Sequence, residues 1–294
     1  MFFQLLINGL IAGSVYALVA AGFSCVYTTN RFVHFAHGST VTVCSFFLFW
    51  LLEYLHIPFI ACTALVVLFA GGLGYTMHAC IYLPLRKKGA SSSILLIASL
   101  ALMYFLNNLM QLLFGADVKI LSVITESTGI NIWGAYITPL QIVVIITALV
   151  LLAFVWIFTK KSKLGKLMRA VADNPELARI SGINTTSIQH WSFVIGSAIA
   201  GVAAILISLE YNIESIMGTN YMIHGFTGAV IGGVSSLPGS ILGSYMLGLI
   251  ENFGIWFLPS GYKSAIAFVL LLIFLLIRPQ GILGMNKGIR EEKI

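Results

Sequence analysis

Apolar residues run almost without interruption along this chain, and the rare charges divide it into long uncharged stretches. These cover Met1 to Asn30, Phe32 to Leu52, Tyr54 to Leu85, Gly89 to Ala116, Ser127 to Thr159, Ile180 to Leu209 and Ser215 to Ile250. Most exceed the roughly 20 residues that cross a bilayer as helix. Lipid offers no partner for free backbone N–H and C=O groups, so such runs must be helical. Their apolar positions do not alternate in segments of about ten residues, which argues against an outer-membrane barrel.

The pattern predicts spans near Phe3 to Val26, Phe35 to Leu52, Phe59 to Tyr82, Ser93 to Phe114, Pro139 to Phe158 and Trp191 to Leu209. The run Ser215 to Ile250 would be roughly 54 Å long as one helix, too long for a hydrocarbon core of about 30 Å. Its break belongs at GGVSSLPGS, Gly232 to Ser240, where glycines, serines and a proline remove helix propensity together. Spans are then expected at Met217 to Val234, Leu237 to Leu258 and Gly261 to Ile277. The result is an all-α polytopic transmembrane bundle of about eight to ten spans, a single domain over residues 1–294 with a late broken helix. The first span carries small residues at Gly9, Gly13, Ala17, Ala20 and Ala21, a face that lets helices approach closely.

Composition agrees: 59% of the 294 residues are hydrophobic, 9% are charged, and the mean hydropathy is +0.98. The net charge of +6 is no nucleic-acid signature, because the basic residues cluster by loop. Arg86 to Lys88 form one group, Lys160 to Arg179 a second, and Arg278, Lys287, Arg290 and Lys293 a third. Such clusters mark the cytoplasmic side and place the N-terminus outside. The segment from Gly115 to Thr138, with Asp117, Lys119, Glu126 and Asn131, reads as an outside loop with Trp133 and Tyr136 at the interface. No basic region precedes the first apolar run, so that run is expected to be a retained helix.

Little in the chain reads as catalytic. Cys25, Cys44, Cys62 and Cys80 lie in apolar runs without metal-type spacing and are expected to pack. His34 and His37 lack a nearby third ligand, so no metal site is expected. Asn107, Asn108 and Gln111 read as hydrogen-bonding glue between helices. Glu53, Glu210, Glu214 and Glu251 fall near predicted span ends, leaving no clustered intramembrane carboxylates for ion coupling. There is no GxxxxGK[ST] phosphate loop, so ATP cannot bind by that route. A membrane transport component is expected, not an enzyme.

The longest polar interval, within about residues 160–187, is KLGKLMRAVADNPELARISGIN. Leu164, Leu167, Met168 and Val171 form one helical stripe. Asn174 then suits an N-cap, Pro175 a first helical position, Glu176 the positive dipole end, and Gly182 a left-handed stop. Two short helices follow. As a solvated loop they would only satisfy topology; as a docking element they would pass on the motion of a soluble partner.

GKLMRAVADNPELARISGIN resembles the cytoplasmic coupling loop of branched-chain amino acid ABC importer permeases of the LivH type. The likeness extends to NGLIAGSVYALVAAGFSCVY, RFVHFAHGS, GGVSSLPGSILGSYMLGLIE and RPQGILG, in order over nearly the whole chain. The resemblance implies a permease subunit of the bacterial inner membrane that forms a translocation path with a second, homologous permease. It implies two ABC ATPases that bind ATP and Mg in place of this chain, and a periplasmic or lipid-anchored binding protein. ATPase coupling would fall to Gly165, Arg169, Ala170, Asn174, Pro175, Glu176, Ala178, Arg179 and Gly182. Candidates for the path are Gly38 and the break residues Gly232, Gly233, Ser235, Ser236, Pro238 and Gly239, where a half-helix start can meet a carboxylate. Related permeases carry urea and short amides, and an ion-coupled secondary carrier is the competing class.

Overall fold

The structure, a computed structural model, describes residues 1–121, 129–132 and 134–284. The positions expected for Glu126, Trp133, Lys287, Arg290 and Lys293 lie outside the described residues.

The expected helices are present. They are α1 (Phe2–Asn30), α2 (Ala36–Glu53), α3 (Phe59–Met77), α4 (Leu83–Lys87), α5 (Ser92–Phe114) and α6 (Pro139–Lys161). Two short helices, α7 (Lys163–Asp173) and α8 (Pro175–Ile180), precede α9 (Thr185–Glu210), α10 (Met217–Gly232), α11 (Leu237–Gly254) and α12 (Lys263–Ile277). A π-helical turn at His78–Tyr82 joins α3 to α4, making one continuous apolar helix. Among the described residues five helices are long and apolar enough to cross a membrane, or up to six if the bent α10–α11 pair is one span. By length and apolarity that is fewer than the eight to ten spans expected.

Several helices differ from their expected bounds, α11 stopping at Gly254 short of Leu258 while α1 and α9 run longer. α1 runs on to Asn30 because Thr29 and Asn30 hydrogen-bond within the bundle, Thr29 donating to Ser192 Oγ at 2.7 Å. α9 starts at Thr185, where Asn184 accepts from Ser187 N at 3.0 Å as N-cap. Both extensions are polar, and polar groups find partners there.

Burial separates an inner layer from an outer one. Of the most apolar window of each helix, 89% is buried in α1 and 78% in α9, against 22% in α6. α1 lies at the centre and packs on α6, α7, α9, α10 and α11. Its small face explains this position. A Cβ on Gly248 would stand 2.5 Å from Gly13 N, so the α1 and α11 backbones touch where only glycine fits. Ala17, Ala20 and Ala21 are fully buried. Asn107 ties three helices together: its Oδ1 accepts from Ser39 at 3.0 Å and its Nδ2 donates to Thr219 at 2.8 Å. Among the described residues Asn108 donates within its own helix, to Tyr104 O at 2.7 Å.

The basic clusters that begin at Arg86 and at Lys160 share one end of the bundle. Arg86 donates to Asn30 O and Arg31 to Ala172 O, so the ends of α1 and α4 and the α7–α8 element share that end. At the far end, a hairpin of β1 (Ile130–Ile132) and β2 (Ala135–Ile137) meets the start of α1, with Gln4 exchanging hydrogen bonds with Tyr136 N and O.

Candidate functional site

At the basic end, Ser162 closes α6 and caps α7, its Oγ accepting from Gly165 N at 2.9 Å. A Cβ on Gly165 would fall 2.5 Å from Thr159 O, so only glycine lets α7 fold back so closely on the end of α6. Asn174 Oδ1 accepts from both Glu176 N and Leu177 N at 3.0 Å, which starts α8. Gly182 takes φ +82° and Ile183 N returns to Ala178 O at 3.0 Å, which stops it.

The underside of this pair is a small apolar core of Met168, Val171, Ala178 and Ile188, with Leu164, Ile183 and Ile195 packed against it. Leu167, expected in the same stripe, is instead 36% exposed, because buried Gly165 occupies the turn against α6. Gly165 and Ala178 thus face the chain's own bundle. Arg169, Ala170, Asn174, Pro175, Glu176 and Arg179 are exposed. So are Leu177 at 60% and Ile180 at 83%. Two large aliphatics set among charges on a polar surface form an unpartnered patch. Arg31 connects the element to α1 through Ala172 O, and Arg169 donates to Lys160 O at 3.1 Å.

Above α7 lies a cavity of about 910 Å³ whose walls include Ser24, Thr28 and Arg31 of α1, Lys166 of α7, and Ser235 and Pro238 of the broken helix. The break bends the chain by 117° between α10 and α11. Its polar groups are largely engaged. Ser236 accepts from Gly239 N at 3.2 Å, Ser24 Oγ donates to Val234 O at 2.8 Å, and Gly233 adopts φ +111°. A Cβ on Gly232 would lie 1.7 Å from Gly239 O. Ser235, Ser236 and Pro238 therefore border open space, while Gly232 and Gly239 are in backbone contact. Gly38 is likewise packed, a Cβ there meeting Gly218 O at 2.5 Å.

The RPQGILG motif is also placed at the break. Ile282 N and Leu283 N donate to Ile231 O and Gly232 O, each at 2.9 Å, so the segment after α12 satisfies carbonyls that the end of α10 leaves free.

A second, smaller cavity of about 320 Å³ opens toward the far end. Asn8, Ile11, Ala12, Val15 and Tyr16 of α1 form one wall, and Gln141, Glu210, Tyr211, Tyr221, Asn252 and Lys263 contribute further polar groups. Behind it Glu251 is fully buried. Tyr16 donates to its Oε2 at 2.9 Å and His224 Nε2 lies 3.4 Å from its Oε1. Reading the glutamates as span-end residues missed this site, because Glu251 sits in the last turn of α11 yet faces inward. A lone carboxylate inside the expected span Leu237 to Leu258 was the signal that could have found it.

His34 and His37 are fully buried beside Tyr82, whose hydroxyl is 3.0 Å from His34 Nδ1. They are joined by His78, 2.9 Å from His190 through their Nδ1 atoms. Cys25, Cys44 and Cys62 are buried and Cys80 is exposed.

The profile of the family described as branched-chain amino acid transport system / permease component matches residues 5–275. The chain is 32% identical to the high-affinity branched-chain amino acid transport system permease protein BraD of Pseudomonas aeruginosa, covering 96% of each chain. It is 33% identical, again over 96% of each, to the high-affinity permease protein LivH of Escherichia coli K12. A probable branched-chain amino acid transport permease protein LivH of Methanocaldococcus jannaschii is 29% identical over 96% of this chain and 93% of its own. The helical bundle, the element at its basic end and these matches along the chain converge, and this multi-pass membrane protein belongs to the family of branched-chain amino acid transport permease components.

Proposed function

We propose that this chain is the permease subunit of an ATP-driven ABC importer of branched-chain amino acids in a bacterial inner membrane, with its basic end in the cytoplasm. It pairs there with a second, homologous permease, and a periplasmic or lipid-anchored binding protein delivers substrate at the far end. ATP and Mg are bound by two ATPase subunits, whose motion enters through α7 and α8. The exposed Leu177–Ile180 patch on an element braced against α1 and α9 carries this reading. A helix as short as α8 is not stable alone in water, and its apolar underside holds it rigid enough to transmit force to α1. The two cavities lie along α1, and between them Ala17 to Phe23 are buried without a gap. A path that opens at one end and then the other requires such a closure to move.

The test is reconstitution. Chain inserted alone into liposomes under a proton or sodium gradient is expected to accumulate no leucine; with the copurifying ATPases, the binding protein and ATP, it is expected to do so. Gradient-driven uptake by the chain alone would overturn the proposal in favour of a secondary carrier.

A further inference from the structure

The far-end cavity has an unusual electrostatic arrangement. Glu210 and Lys263 both line it, yet they do not form an ion pair with each other. Each is held by a neutral amide instead. Gln141 Nε2 donates to Glu210 Oε1 at 2.8 Å, and Lys263 Nζ donates to Asn252 Oδ1 at 3.2 Å. Neither bond uses the full capacity of its ion: a carboxylate has a second oxygen and an ammonium three N–H groups. Glu251 lies behind the lining, where Tyr16 and His224 hold it.

A small space containing one anion and one cation, kept apart, complements a ligand with the opposite pair of charges. The remaining surface limits that ligand further. Ile11, Ala12 and Val15 of α1 line it together with Tyr221, apolar surface suited to a side chain of a few carbons. The cavity volume of about 320 Å³ lies at the small end of the range typical of ligand pockets, roughly 300 to 1,000 Å³. A neutral amide such as urea would leave both charges unanswered, and a free carboxylic acid would leave Glu210 without a partner.

We propose that this cavity is a binding site for an α-amino acid zwitterion within the permease. The Glu210 carboxylate receives the α-ammonium group, the Lys263 ammonium receives the α-carboxylate, and the α1 wall receives the side chain. Gln141 and Asn252 act as positioning residues that hold the two ions apart. The proposal rests on the transport reading above and deepens it, placing recognition of the amino-acid backbone inside the membrane subunit.

The test uses the assembled transporter without its binding protein. Saturable binding of tritiated leucine is expected, displaced by unlabelled leucine and at least tenfold less well by leucinol, which lacks the carboxylate, or 4-methylpentanoate, which lacks the ammonium. In liposomes with the binding protein, Glu210→Gln and Lys263→Met are each expected to lower leucine uptake tenfold or more. Glu210→Asp and Lys263→Arg are expected to keep a substantial part of it. Wild-type transporter that takes up no leucine would remove the proposed function itself. Wild type that takes up leucine while binding none, or while binding leucine and leucinol equally, would overturn this site and leave the proposed function standing. The binding comparison on wild type decides the matter even if a charge variant fails to assemble.

Discussion

Two interruptions of the apolar pattern, the charged α7–α8 element and the uncharged α10–α11 break, are put to opposite uses. In the α7–α8 element, capping residues satisfy the backbone and small apolar residues turn inward, so Leu177, Ile180, Glu176 and Arg179 are left on an open face. In the α10–α11 break, backbone meets backbone: Gly232 against Gly239, Gly233 against the tail, Val234 against Ser24. One interruption offers a surface to something outside the chain. The other is largely sealed by the chain itself, with Ser235, Ser236, Leu237 and Pro238 still bordering a cavity. A polar break in a membrane protein is therefore not in itself a ligand site; what matters is whether its polar groups are already engaged.

The contrast can be broken most severely at Gly232. A side chain there meets Gly239 backbone at well under van der Waals distance, so Gly232→Val should abolish folded transporter, read as loss of the monodisperse peak in detergent chromatography. Gly261→Ala, with nothing within 4 Å of its Cβ position, should leave that peak unchanged. Gly281→Val comes next. Its φ of +75° and the backbone of Gly233 standing where a Cβ would go mean that the tail must leave the end of α10. The expected cost is about 2 kcal/mol or more from strain and two exposed carbonyls, measured as a lower melting temperature of the purified transporter.

Smaller effects sharpen the other side. Asn174→Ala removes the cap of α8 at about 1 kcal/mol, and because the helix is short this should loosen the docking face while the bundle stays intact. Uptake is expected to fall severalfold with little change in melting temperature. Leu167→Gln, at a position already 36% exposed, should change stability by less than about 0.5 kcal/mol.

How much of this was legible in the sequence follows from the range of each interaction. Asn174 as a cap, Gly182 as a stop and the break before Leu237 depend on neighbours a few residues away, and they stand where the pattern put them. The expected small face of α1 was legible for the same reason. The Arg31–Ala172 link spans 141 residues and the Tyr16–Glu251 bond 235. Such pairs are chosen by three-dimensional packing, and neither residue announces its partner. Glu251 looks like an interfacial carboxylate until the neighbouring helices are in place. Leu167 fits the helical period and still points outward, because the sharp turn at Gly165 rotates α7 against α6. The far-end cavity draws its walls from six helices and was accordingly invisible.

The central claim is that the open face of α7 and α8 receives the motor. Its most direct measurement is copurification of the ATPase subunits with a Leu177→Asp/Ile180→Asp transporter, alongside ATP-driven leucine uptake in liposomes. Both side chains are exposed, so the bundle should fold with an unchanged melting temperature. We predict that the ATPases are lost and that uptake falls at least tenfold; retained ATPases with undiminished uptake would contradict the account.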